Sequence, residues 1–289
     1  MFNRIVVGHD HRAGGQDALS LARAFAKATG ADIVLAGVIP TGMMPAESEV
    51  VWTVQEHEFG DKIRASAEDA DGEARVFHSH SVARGLSDLA EEVGADLIVV
   101  GSSRRGKAGR VLAGNVALQV LHGAHCAVAV APAEYAEQEH VLTALVVGVD
   151  GAPEAHAAVV AAAELAQAAH ADVSLVGVVQ PPPVVYGKGG GAAGIGELKA
   201  AIREQLEKDL EHAASRFGSD AQPETKLVEG DPVEELGKAA EGASLLVVGS
   251  RGHGPIGRVL LGSTDSKLLD SAPSPMLVWP RRAEASKAS

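Results

Sequence analysis

Cysteine is nearly missing from this chain. Cys126 stands alone among 289 residues, which excludes an internal disulfide framework and suits a reducing compartment. Aromatic residues are scarce at 3%, so burial falls to Ala, Val, Leu and Gly, a composition suited to close packing of helices on a sheet. No apolar run approaches the roughly 18 residues needed to span a bilayer. The N-terminal MFNRIVVGHD runs straight into a strand-like segment without a signal-peptide layout. A soluble, cytoplasmic protein with no membrane partner is expected. A surplus of basic side chains is also lacking, the net charge being -13. Neutralising a nucleic-acid backbone requires excess Lys and Arg, so no nucleic-acid partner is expected. A small local site for a phosphorylated ligand is compatible with this acidity.

What the chain does contain is a repetition. Ile5 to Ile39 aligns with Leu145 to Val179 at an offset of 140, so that Val7-Gly8 meets Val147-Gly148 and Asp10 meets Asp150. Leu97 to Pro132 aligns with Leu245 to Pro280 at an offset of 148, so that Gly101-Ser102 meets Gly249-Ser250 and Gly114 meets Gly262. The extra residues fall in the Pro/Gly-rich segment Pro181 to Gly196, read as a surface insertion. The boundaries follow: a first domain over 1–133, a linker over 134–141, a second domain over 142–281 and a disordered tail over 282–289.

In the first copy, strands are expected near 3–9, 32–38, 73–79, 96–101 and 126–131, with helices near 13–29, 53–70, 84–93 and 113–123. The second copy repeats the order, with a longer helix from about 197 to 217. The strands are continuous Val/Ile/Leu runs, as in parallel sheets buried on both faces. Alternating strands and helices predict two tandem doubly wound α/β domains with right-handed crossovers. Ligands of such sheets bind beyond the carboxyl ends of the strands, where the strand order reverses.

One stretch carries the chemistry. Leu245 to Val248 reads as a buried strand, Gly249-Ser250-Arg251-Gly252-His253-Gly254 breaks it, and Gly262-Ser263 follows another apolar run. Glycines let backbone N–H groups approach a ligand closely, and the first turn of a following helix offers unpaired donors. A phosphate-binding loop is the reading. If the strands ending at Asp150 and Gly249 are neighbours, both motifs face one crevice.

These residues resemble the universal stress protein family. Gly249, Gly252, Gly262 and Ser263 reproduce the G-2x-G-9x-G-S/T pattern of its ATP-binding members. Val147-Gly148-Val149-Asp150-Gly151 is similar to its first-strand ending, and Gly230-Asp231-Pro232 to a recurring turn. The resemblance spans nearly the whole chain as two tandem domains. It implies five-stranded parallel sheets of order 3-2-1-4-5, with ATP, with or without Mg²⁺, between strands one and four. It also implies association through the last strands, between the two copies or between chains.

Carried over residue by residue, the resemblance places Asp150 and Gly151 near adenine or ribose and the Val178 backbone at the adenine edge. Val248, Gly249, Gly252 and Gly254 then flank ribose and phosphates, while Gly262, Ser263 and Thr264 donate to phosphate oxygens. Arg251 and His253 add charge to the loop, turned either to phosphate or to solvent. The first copy retains Asp10, Val38, Gly101 and Gly114. It departs in placing Arg104 opposite Gly252, Asn115 opposite Ser263 and His11 opposite Gly151. Arg104 adds bulk where backbone should approach the ligand, although its guanidinium can pair with phosphate. Asn115 can still donate. The second site is therefore expected to be the better one.

Competing motifs fail on their own terms. Gly101 to Ala108 nearly spells a Walker loop, but Ala108 lacks the hydroxyl that holds Mg²⁺. Gly252 to Gly257 matches GxGxxG, but no acidic residue ends the following strand. Twelve histidines include His78, His80, His9 and His11, none at zinc-site spacing, so surface or edge positions and no metal are expected. Cys126 is expected to be inert at the start of a buried strand. Ser102, Ser103 and Ser263 have no base and acid paired with them, so phosphate donation is the simpler role and no catalytic residue is assigned. The expected function is a nucleotide-dependent regulatory module of the stress response, homodimeric and with an unidentified protein partner. The alternative is a slow ATP hydrolase or adenylyl-transferring enzyme.

Overall fold

The computed structural model describes residues 2–41, 49–103, 109–180, 192–218, 222–250 and 263–280. The first half runs β1 (Arg4–Gly8), α1 (Ala13–Thr29), β2 (Asp32–Pro40), α2 (Glu49–Glu68), β3 (Glu73–Ser79), α3 (Val82–Glu92), β4 (Leu97–Gly101), α4 (Asn115–Gly123) and β5 (Ala127–Ala131). The second runs β6 (Ala144–Val149), α5 (Pro153–Ala169), β7 (Asp172–Val179), α6 (Ala192–Ala214), β8 (Glu224–Glu229), α7 (Pro232–Ala239), β9 (Leu245–Gly249), α8 (Ser263–Leu268) and β10 (Met276–Trp279). Among the described residues the strands form one ten-stranded sheet of order β3-β2-β1-β4-β5-β10-β9-β6-β7-β8. Each half has the expected 3-2-1-4-5 order, with its neighbours parallel.

The halves meet at β5 and β10, which pair antiparallel with Leu277 opposite Ala129. Of the two associations implied by the resemblance, the one between copies is therefore made inside the chain. Both strands are buried, so the edge that each half would otherwise expose is closed by the other. The remaining edges, β3 and β8, carry ion pairs such as Arg75–Glu73 and Lys226–Glu224, a charged finish that discourages further strand addition.

A core lies on each face of the sheet and crosses the joint. One gathers Ile5, Phe25, Leu145 and Leu165 beneath α1 and α5; the other gathers Ile98, Leu121, Leu246 and Leu268 beneath α4 and α8. Phe2 packs on Phe25 and reaches Trp279 of the other half, ring centroids 5.5 and 5.8 Å apart. Asp17, 4% exposed, pins the linker by accepting from the Glu134 and Ala136 backbone N–H groups at 3.1 and 2.8 Å. Burial pushes its carboxyl above the usual range, against the pull of those donors.

The strap Gly109–Ala113 also joins the halves. Val111 N–H donates to Ala272 O at 2.9 Å, Ala113 N–H to Leu269 O at 2.8 Å, and Arg110 Nη1 to Ser271 O at 3.3 Å. These carbonyls belong to the turn that follows α8, so the strap holds that turn against the first half.

Element limits differ from expectation where caps decide them. Ser81 accepts from Arg84 N–H and starts α3 two residues early, as Asp231 accepts from Val233 and Glu234 N–H at the start of α7. Capped by Gly114, α4 begins at Asn115 rather than near 113, and α2 begins at Glu49 rather than near 53. Ala192 to Gly196, read from sequence as the end of the insertion, already belongs to α6. Residues 181–191 and 281–289, the rest of the insertion and the tail, lie outside the described residues. No helix among the described residues is long and apolar enough to cross a membrane.

Candidate functional site

Both halves turn the chain in the same way after their first strand. Asp10 accepts from Arg12 N–H at 3.1 Å, and Asp150 from Ala152 N–H at 3.0 Å. Each carboxylate thus folds its own turn before the following helix. The next residue is left-handed in both, His11 at φ 60° and Gly151 at φ 74°. Gly151 answers a second demand, because a Cβ there would collide with the Asp209 carboxylate. His11 meets the same backbone geometry with a side chain, a strain of about 1–2 kcal/mol.

In the first half, β1 and β4 lie side by side, and their ends, Gly8 and Gly101, open a cavity of about 300 Å³. Val38 from β2 and Leu86 from α3 form its apolar wall, while Gly114, Asn115 and Ala117 close it from α4. Gly114 caps α4 without a side-chain hydrogen bond. A Cβ on Gly101 would fall on the Gly14 carbonyl, so the start of α1 rests directly on the end of β4.

Ser102 is already committed: its hydroxyl donates to Ala131 O at 2.7 Å and accepts from Leu112 N–H at 3.1 Å. This corrects the expectation of a phosphate donor. Ser103 N–H donates to Leu112 O at 2.7 Å, tying the rim of the cavity to the strap.

In the second half, β6 and β9 are likewise neighbours, so Asp150 and Gly249 do face one crevice. With Val178, Val248 and Thr264 they line a cavity of about 190 Å³. Gly151 stands in the turn beside it. Ser263 opens α8. Arg251, Gly252, His253, Gly254 and Gly262, like Arg104 of the first half, lie outside the described residues.

Two residues escaped sequence reasoning. Asp265, 6% exposed, lines the second cavity, where the repeat places Ala117 in the first. The signal was available, an acidic residue three positions after Gly262. The other is His9, expected at the surface and found 2% exposed. It follows β1 with its ring turned under α1 and α2, where Nε2 meets the Ser66 hydroxyl at 3.2 Å; the repeat has Val149 there.

Burial holds the His9 imidazole below its ordinary value of 6.5, outweighing the Gly15 backbone and Asp10, with His11 adding to the lowering. The unfolded chain therefore takes up this proton first. Stability contributed by His9 is fully present above pH 6.5 and is lost as pH falls through 6.5 towards the folded value. In His9→Val, the loss of stability between about pH 7.5 and 5.5 should shrink. Urea midpoints at the two pH values measure it, and an unchanged difference would assign the loss elsewhere.

Among the described residues no group of three His, Cys, Asp or Glu could hold a metal ion. Burial, with Asp96 nearby, pushes the Cys126 thiol up to about 12, so it stays protonated and unreactive at neutral pH. His78, weighed above as a metal candidate, pairs with Glu56, and His125 pairs with Glu91, each at 2.7 Å.

Comparison with known proteins accords with this geometry. Universal stress protein Rv2319c of Mycobacterium tuberculosis is 30% identical over 223 residues, which cover 73% of this chain and 74% of that protein. A universal stress protein of Mycolicibacterium smegmatis is 33% identical over 144 residues, or 47% of its own length. The crystal structure of a universal stress protein from Archaeoglobus fulgidus shares the fold at a TM-score of 0.68 and 18% identity, covering 98% of this chain and 97% of that one. The model of the universal stress protein family matches twice, over residues 1–132 and 143–280. With a strand order, a pair of crevices and a sequence match that each occur once per half, the chain belongs to the universal stress protein family as a tandem of two of its domains.

Proposed function

We propose that the chain is an ATP-binding regulatory module of the stress response, in which nucleotide orders the glycine loops and alters a surface read by a protein partner. One observation carries this reading: a cavity repeated at the same place in both halves, between the ends of the first and fourth strands. Val38 and Leu86 wall one, Val178 and Leu236 the other. An apolar slot beside glycine strand ends suits a purine base with its phosphorylated tail laid along the backbone.

The second domain is proposed as the tighter site, because it keeps Gly249, Gly252, Gly262 and Ser263 where the first has Arg104 and Asn115. Arg251, His253 and Gly254 are assigned to its phosphate loop, and Asp150 and Val178 to the nucleoside end. The aspartates at the strand ends already serve their turns, which favours retention of nucleotide over turnover. A cytoplasmic location is part of the proposal. A homodimer would use outer faces of the chain, since β5 and β10 cover each other's edge.

The test is denaturing extraction of the freshly purified protein, with identification and counting of released nucleotide. One or two ATP per chain supports the reading. ADP or AMP in its place favours the slow hydrolase. No nucleotide, and no uptake on adding ATP, removes the assignment and leaves the fold.

A further inference from the structure

Successive peptide groups of the strap Gly109–Ala113 serve opposite halves of the chain. Leu112 N–H donates to Ser102 Oγ, and Leu112 O accepts from Ser103 N–H, both in the first half. Val111 and Ala113, on either side of it, donate their N–H groups to Ala272 O and Leu269 O in the second. The side chains of Val111 and Ala113 are buried in the core that also holds Leu268, Leu269 and Ala272. Gly109 N–H donates to Ala133 O at 2.9 Å and Ala133 N–H to Arg110 O at 3.2 Å, which fastens the start of the strap to the chain leaving β5. A displacement of the strap therefore breaks bonds in both halves at once.

Each end of this path lies at a cavity. Ser103 and Gly114 line the first, and a Cβ on Gly114 would meet Ser103 Cβ at 3.5 Å, so the two close its rim together. Beyond the strap, Leu269 N–H donates to Asp265 O at 2.9 Å, and Thr264 and Asp265 line the second cavity. Backbone hydrogen bonds thus lead from wall to wall, from Ser103 to Leu112, from Ala113 to Leu269 and from Leu269 to Asp265. The helix at the far end, α8, has six residues. A helix so short does not hold itself in water, so its first turn depends on support from its surroundings.

We propose that the two pockets are coupled through the strap, so that ATP in the first tightens the binding of ATP in the second. This rests on the nucleotide reading above. A ligand that fixes Ser103 and Gly114 fixes the strap between them, and with it the donors that hold the turn after α8. Part of the ordering that the second pocket requires is then complete before its own ligand arrives. Linkage makes the effect mutual, since the second ligand must tighten the first by the same factor.

Calorimetric titration of the full chain with ATP in excess Mg²⁺ tests this, with Val38→Phe and Val178→Phe each filling one cavity. Independent sites would give the wild type a two-site constant equal to the product of the constants of the two filled variants. Coupling should make it larger by about fivefold or more. Ala113→Pro, which deletes the donor to Leu269 O, should bring that ratio close to one in the same set of variants. Hydrogen exchange gives a second measure that needs only one filled variant to fold. In Val178→Phe, ATP in the first pocket should slow exchange of the Leu269 and Ala272 amides; in Val38→Phe, ATP in the second should slow those of Val111 and Ala113. A ratio of one in the wild-type background overturns the inference, as does a ratio that survives Ala113→Pro. Exchange that ATP leaves unchanged at these amides overturns it too. A wild-type chain that binds no ATP is a separate outcome: it removes the nucleotide reading itself, and the inference with it.

Discussion

Gly101→Ala should destabilise the chain by about 2–3 kcal/mol and remove one bound nucleotide per chain. The added methyl has nowhere to go, because its Cβ would land on the backbone carbonyl of Gly14 rather than on the movable end of a side chain. Relief requires the start of α1 to lift from the end of β4, and that start also carries Gly15, whose Cβ position lies 2.9 Å from Asp10 N. The turn made by Asp10, and the mouth of the first cavity with it, would shift. Gly8 offers a contrast, since a Cβ there meets Leu86 Cδ1 at 3.0 Å, a group that can rotate away. Gly123→Ala is the control: the nearest atom is Ser87 Oγ at 3.7 Å, and the change should alter neither quantity. Urea unfolding and nucleotide stoichiometry read the two effects. A Gly101→Ala chain of wild-type stability would mean that α1 does not rest on β4 as described.

Leu277→Asp should be more damaging, costing about 3–5 kcal/mol, because it buries a carboxylate without a partner. Leu277 is 1% exposed in β10, opposite Ala129 of β5, at the antiparallel step of the sheet. Both cores run through this joint, so the expected damage goes beyond a local loss of packing. The wild type, with both cores shared across the joint, should unfold in a single transition, and Leu277→Asp should split it into two, one for each half. Leu198→Asp, at a position 51% exposed, should stay within about 0.5 kcal/mol of wild type. A Leu277→Asp chain that still unfolds in one step would place the cooperativity elsewhere, with the strap and the Asp17-pinned linker as the remaining connections.

Much of this arrangement is legible in the residues. Val/Ile/Leu runs too short for helices announce strands buried on both faces, and their recurrence at fixed offsets announces two copies. The crevice at Asp150 and Gly249 follows once β6 and β9 are known to be neighbours. Other features leave no periodic trace. Ala127–Ala131 and Met276–Trp279 are equally apolar strands, and nothing in either composition says that they pair antiparallel with each other. His9 sits among polar residues in sequence, but its ring is drawn under two helices by the direction in which β1 ends. Ser102 looked like a ligand donor, yet its hydroxyl serves backbone groups ten and twenty-nine residues away. Asp265 was obscured by the glycine-serine motif just before it, which drew the attention that its own burial merits.

The pairing of β5 with β10 has a consequence for how the two pockets can change over time. In a symmetric dimer of identical chains every substitution is made twice, so both sites must live with it. Joining the copies covalently removes that constraint. Ala117 and Asp265, His9 and Val149, and His11 and Gly151 are three pairs in which one copy has moved without the other. A single continuous sheet can then carry two unlike pockets at a fixed ratio of one to one, without partner exchange and at any protein concentration.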